Sequence, residues 1–267
     1  MDTFEKNLYH VGSYGRFKEL FRAGGGAADF PMPDLILLDS RQGLEALQYV
    51  KGHRELLYTP VVVLSHPRQG MDVQEAYASG ANGCLQGDLG ENPVETLRTL
   101  AQFWFSLVQL PTGETKKPMQ VYKPGSTPIN TQSRIMLVED QPLDAKIFQQ
   151  AAEELNFDHP LAIVDSAEAA LEMLQADSGT LTPDFVLLDI RLPGMNGDEL
   201  LDQIRPDPRL CNLQVVAMSG FDDVRKTKEL YSRKANAFIP KPMEYAGVVD
   251  MLAILGQWYS IVSLPGG

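Results

Sequence analysis

Two doubly wound parallel α/β domains in tandem, the second whole and the first truncated to about four strands, are predicted by three features of this 267-residue sequence. The chain repeats itself. In the second repeat, apolar runs alternate with segments of helical apolar spacing. The runs are continuous, as strands buried on both faces of a parallel sheet require, whereas a half-solvated sheet would alternate.

The repeat can be followed motif by motif. LYHVGSYGRFKELF at 8–21 matches LAIVDSAEAALEML at 161–174, and PDLILLD at 33–39 matches PDFVLLD at 183–189. Further on, PVVVLSH at 60–66 matches QVVAMSG at 214–220, and GANGCL at 80–85 matches KANAFI at 234–239. AQFWFSLVQLP at 101–111 then matches LGQWYSIVSLP at 255–265. Domains over 1–111 and 133–267 follow, joined by a linker over 112–132 whose Pro, Thr, Ser and Gly content marks an extended, partly stiff connection.

In the second domain the candidate strands are 134–138, 160–164, 185–188, 213–218 and 237–239. Segments 142–155, 166–175, 197–205, 222–233 and 243–262 have helical spacing. Five βα turns of this kind build a parallel sheet, whose ligands gather at the carboxyl ends of the strands beside the switch in strand order. Glu139 and Asp140 follow the first strand, Asp189 ends the third, Ser219 and Gly220 end the fourth, and Lys241 follows the fifth. All of them therefore converge on one edge.

Three carboxylates at one mouth repel each other and would partly protonate unless a cation joined them. A hard divalent ion with oxygen ligands, Mg²⁺, fits, with Asp140 and Asp189 binding directly, the backbone carbonyl of Arg191 next in reach and Glu139 acting through water. A carboxylate so placed can attack a phosphoryl group to form an acyl phosphate. The Lys241 ammonium and the Ser219 hydroxyl would stabilise the developing charge, and Gly220 leaves the approach open. Each residue alone has a plainer reading. Acidic groups near a helix start are favoured by the dipole, an Asp at a strand end is often a cap, and a lysine between two prolines is usually a loop charge. Their convergence favours the site.

Residues 133–267 resemble the receiver domain of two-component response regulators, through LVED, LLDIRLPGMNG, MSG and PKP in that order. The resemblance implies a flavodoxin-like receiver fold and phosphotransfer to Asp189 from a histidine kinase or phosphotransfer protein. It also implies a shift of Ser219 and of the aromatic at Phe238, and a cis Lys241–Pro242 bond. QFWFSLVQLP and GQWYSIVSLP, at the two repeat ends, are similar to the C-terminal extension of small response regulators that pair with bacterial phytochromes, which implies a phytochrome-type kinase as partner.

The first domain is damaged. Lys241 is replaced by Gly87, Gly220 by His66 and Phe238 by Cys84, while strand one, its acidic pair and nearly all of helix one have no counterpart. Asp39 and Ser65 remain, in a degenerate domain expected to serve contacts, with Leu8–Val11 in the vacated central position and Asp39 not phosphorylated.

Composition narrows the function. A net charge of -12 argues against a nucleic-acid partner, because the one basic cluster, Lys116-Lys117, lies in the linker. Cys84 and Cys211 have no zinc or disulfide spacing, and neither a secretory h-region nor an apolar run of ~20 residues is present, so the expected location is cytoplasmic, off the membrane. Val248, Leu252, Leu255, Trp258 and Ile261 lie at helical spacing on a segment long enough to leave apolar surface to spare, so a homodimer is expected through the face near the fifth strand. Trp104 and Trp258 fit either core or interface. The expected protein is a phosphorylation-switched regulator with no DNA-binding or enzymatic output. A Mg²⁺-dependent phosphohydrolase using Asp189 is the enzyme alternative, weakened because Arg191 stands where haloacid-dehalogenase-like phosphatases carry a second Asp. An unphosphorylated scaffold is the third.

Overall fold

Ser13 starts the first helix by capping it. Its side chain accepts the Arg16 amide at 3.3 Å, and α1 (Tyr14–Leu20) follows. The structure is a computed structural model that describes residues 9–21, 31–66, 70–87, 89–112, 134–157, 161–176, 183–220 and 224–265. Residues 1–33 form one compact unit and 34–267 another. Residues 9–13 form no strand, so the strand expected at Leu8–Val11 is absent from its described part, where the chain runs into the Ser13 cap. Most of the linker lies outside the described residues, as does Lys116-Lys117.

The first repeat builds β1 (Ile36–Asp39), α2 (Leu44–Gly52), β2 (Val61–Ser65), α3 (Val73–Ala78), β3 (Gly83–Gln86) and α4 (Pro93–Gln102). Its strands are parallel in the order β1-β2-β3. That is three strands among the described residues, against the four expected. Leu37 in β1 is 39% exposed where its equivalent Leu187 in the second repeat is 0%. A 3₁₀ turn, Ser40–Gln42, replaces the shortened loop after Asp39. Asn92 caps α4, Pro93 occupies its first turn, and a π-helical turn, Phe103–Leu107, ends it.

The second repeat builds β4 (Ile135–Val138), α5 (Pro142–Glu154), β5 (Ala162–Val164), α6 (Ala167–Gln175), β6 (Phe185–Asp189), α7 (Gly197–Ile204), β7 (Gln214–Ser219), α8 (Val224–Ser232), β8 (Ala237–Pro240) and α9 (Tyr245–Ile261). All five strands are parallel, in the order β5-β4-β6-β7-β8. Every expected strand and helix of this domain is present. Every residue of β4, β6 and β7 is buried, which is why those runs are apolar without alternation. The order reverses at β4, which pairs with both β5 and β6, so the crevice opens beyond Val138 and Asp189. Among the described residues no helix is long and apolar enough to cross a membrane.

The two repeats meet along a seam whose contacts exchange equivalent positions. The Gln109 amide donates to the Phe238 carbonyl at 2.7 Å, and the Ser263 amide to the Cys84 carbonyl at 2.8 Å. Tyr77 Oη donates to the Ser263 carbonyl at 3.1 Å, and Tyr231 Oη to the Gln109 carbonyl at 3.4 Å. Each repeat thus lays its C-terminal segment on the outer strand of the other. Asn82 Nδ2 crosses to the Asn236 carbonyl at 3.0 Å. Phe103 stacks on Trp258 at 4.6 Å between centroids, with Trp104 edge-on to Trp258 at 6.0 Å.

Trp104 and Trp258 are both buried, so the core and interface readings meet in one place. The face near β8, expected from the sequence to pair with a second chain, is covered by the first repeat of the same chain. Truncating Trp258 to alanine should destabilise the protein by about 3–5 kcal/mol, since it removes a buried aromatic and its two ring partners. The shift in urea midpoint at unchanged m-value measures this.

Candidate functional site

The buried run Phe185–Leu188 carries Asp189 to the sheet edge, where it is 5% exposed. Beside it, the Glu139 amide donates to the Val164 carbonyl at 2.9 Å, which holds that carboxylate inward at 1% exposure. Ser219 ends β7, buried, and its carbonyl accepts the Lys241 amide at 2.8 Å, turning the chain after β8 back over the edge. Lys241 Nζ then lies 2.6 Å from Glu139 Oε2, 2.9 Å from Asp189 Oδ2 and 2.7 Å from Asp144 Oδ2.

The electrostatics follow from this packing. Burial alone would lower the Lys241 ammonium, but hydrogen bonds to Asp144, Glu139 and Asp189 outweigh it and hold the group above the ordinary lysine range. Burial pushes Glu139 above the usual glutamate range even though Lys241 pulls the other way. The second Asp189 oxygen accepts the Arg191 amide at 2.7 Å, so both oxygens meet a donor.

Of the residues expected at the site, Glu139, Asp189 and Lys241 are joined by hydrogen bonds. Asp140 is adjacent, with Oδ2 accepting from Gln141 Nε2 at 2.5 Å. At Gly220 a Cβ would stand 3.0 Å from the Arg191 guanidinium. Phe238 is fully buried in β8. The Lys241–Pro242 bond is trans, contrary to the cis form implied by resemblance, trans being the lower-energy state by about 0.5–1 kcal/mol.

Two contributors escaped the sequence reading. Asp144 is one. It lies in the first turn of α5, which starts beside the sheet edge right after Glu139 and Asp140, and that position could have revealed it. Glu168 is the other, accepting the Met195 amide at 2.8 Å and so fixing the loop after Asp189. Together with the Asn196 amide bonded to Glu199 at 2.8 Å, this contact orders the MNG turn into α7.

Three carboxylates converge on one point of this edge, and the lysine holds it. Its ammonium sits where Glu139, Asp144 and Asp189 point, and Asp140 is turned to Gln141. The donors themselves are hard oxygens held at one edge by buried strands, a chemistry that suits Mg²⁺, with Lys241 supplying the positive charge that such an ion would bring.

The first repeat shows the same edge altered. Arg41 Nε lies 3.0 Å from each Asp39 oxygen, and His66 Nε2 is 3.4 Å from Oδ1. The hydrogen bond from the Arg41 side chain holds Asp39 down at about 2. A Cβ on Gly87 would fall 2.3 Å from the His66 ring, so the imidazole fills the space that the lysine side chain takes in the second repeat.

Residues 135–253 match the family model described as response regulator receiver domain. Response regulator Rcp1 of Synechocystis sp. is 30% identical over 138 residues, 49% of this chain and 92% of that protein. The probable methanogenesis regulatory protein FilR2 of Methanothrix harundinacea is 34% identical over 116 residues, 42% of this chain and 73% of that protein. Among solved structures, the phosphorylated cyanobacterial phytochrome response regulator RcpA is similar at 27% identity and a TM-score of 0.44, covering 50% of this chain and 99% of that one.

Proposed function

Because this chain belongs to the response regulator family, with its receiver domain over 135–253, we propose that it accepts one phosphoryl group on Asp189 from a histidine kinase or phosphotransfer protein. It passes the change on through protein contacts in the cytoplasm, without a DNA-binding or enzymatic output. In this reading 133–267 is the working domain, 112–132 the linker and 1–111 a degenerate contact domain. The single observation that carries it is the Asp189 carboxylate at the end of a buried strand, with the Lys241 ammonium 2.9 Å away and Glu139 beside it.

In the reaction an Asp189 oxygen attacks the donor's phosphorus. The new O–P bond forms as the donor's bond to phosphorus breaks, and the donor leaves with that electron pair. Lys241 is within reach to stabilise the phosphoryl oxygens, while the Ser219 hydroxyl, at the end of the neighbouring strand, is the group that would follow them. Mg²⁺ held by Asp140, Asp189 and the Arg191 carbonyl, with Glu139 through water, would neutralise charge on the same oxygens. Gly220 and the Arg191 guanidinium frame the approach.

Incubation with acetyl phosphate and Mg²⁺, followed by intact mass, tests the proposal. One added phosphoryl group is expected. Sustained turnover of phosphate esters would instead favour the hydrolase, and an unchanged mass the scaffold. Removing the Asp140 carboxylate with Asp140→Ala should weaken Mg²⁺ binding at least about tenfold by titration calorimetry. Unchanged affinity would contradict the assigned ligand. The tail motifs single out a phytochrome-type kinase as the donor to try first.

A further inference from the structure

The seam between the repeats is nearly a twofold interface, in which residue i meets j and the equivalent of j meets the equivalent of i. It departs from symmetry around Trp258. The indole stacks on Phe103 with ring planes 3° apart and lies over Gly83, where an added Cβ would come within 2.8 Å of it. The positions equivalent to Phe103 and Gly83 in the second repeat are Gln257 and Ala237. A second receiver offered in place of the first would therefore present no ring to stack on, and a methyl group where the indole needs space. The first repeat carries the two residues that admit Trp258, and the second does not.

β8 connects this interface to the site. Its carbonyl at Phe238 accepts Gln109 across the seam, and three residues later Lys241 meets Asp189. At roughly 3.3 Å per residue the two points are about 10 Å apart along one strand.

We propose that the first repeat is the dedicated partner of the second. It fills the face beside β8 in preference to another copy of the chain, through Gly83 and Phe103, and it is where a change at Asp189 is first felt. The last clause rests on the phosphoacceptor reading, whereas the pairing stands without it.

The full-length protein is to be measured by light scattering and amide exchange at about 10 μM, beside a Gly83→Val, Phe103→Gln variant. The wild type should have the mass of one chain, 29.5 kDa, with the Gln109 and Ser263 amides protected. In the variant those two amides should exchange at least about tenfold faster as Trp258 is released. A dimeric wild type, or free exchange at both amides, would overturn the pairing. So would a folded variant whose exchange at both amides matches the wild type. If the variant does not fold, the wild-type mass and protection decide alone. After acetyl phosphate and Mg²⁺, exchange at Gln109 should change by several-fold. A chain that gains one phosphoryl group with no change at Gln109 overturns the coupling and leaves the acceptor reading intact. A chain that gains none overturns the acceptor reading and the coupling that rests on it, and the mass and protection still judge the pairing.

Discussion

Phosphoryl incorporation from acetyl phosphate is expected to disappear from the whole chain in Asp189→Asn, even though Asp39 ends an equivalent strand. The two aspartates differ in what holds them. Asp189 faces an ammonium that can move with the phosphoryl group, and its neighbours Glu139, Asp140 and Asp144 can recruit a second cation. Asp39 is gripped through both oxygens by its own near neighbour Arg41, which lowers its basicity and so its nucleophilicity. His66 occupies the lysine's space beside it. Losing one preorganised stabilising group commonly costs about 10²- to 10³-fold in rate, so the variant should incorporate less than about 1% of the wild-type amount in the same time. Intact mass and peptide mapping measure it. Phosphate found on Asp39 would show that the Arg41 grip opens and that the first repeat works.

Lys241→Ala should have the second-largest effect, on two observables with opposite responses to Mg²⁺. Autophosphorylation should slow by about 10²- to 10³-fold, because the ammonium nearest the acceptor is gone. In metal-free buffer at neutral pH the variant should also lose roughly 3 kcal/mol of stability, since Glu139 and Asp189 are left as buried charges without their partner. Glu139 already titrates above the usual glutamate range through burial, and without Lys241 it rises further. A carboxyl with a raised folded pKa favours the folded state below its unfolded value of about 4.3 and loses that contribution as pH climbs through the folded value. The stability deficit should accordingly be largest at pH 7 and shrink toward pH 4. Added Mg²⁺ should recover part of it and bind more tightly than to wild type, having no ammonium to displace. Urea titrations with EDTA and with Mg²⁺ at both pH values check each part; a deficit that does not depend on pH or Mg²⁺ would refute the charge argument.

The parts of this molecule that sequence made visible are those with short-range causes. Strands buried on both faces must be apolar throughout, so FVLLD and QVVAMS identify themselves, and the residue after such a run has to lie at the sheet edge. Glu139, Asp189, Ser219 and Lys241 were placed that way. Asp144 was not, because an acid in the first turn of a helix is commonplace and its partner is a lysine almost a hundred residues on. The seam was less visible still. Trp104 and Trp258 have the same helical spacing whether they face a core or a neighbour, and Gly83 carries no signal until the indole above it is seen. The fourth strand expected of the first repeat is not among its described residues, where Tyr9–Gly12 lead straight into the Ser13 cap.

Joining both partners of the seam on one polypeptide changes the order of the response. A regulator that pairs with another molecule responds by mass action, so its set point moves with the number of copies in the cell, and related regulators can form mixed pairs. Here the encounter is intramolecular and the stoichiometry is fixed at synthesis. Diluting this protein should leave its phosphorylation-dependent change undiminished, and a cell could vary its expression without resetting the threshold at which it answers its kinase.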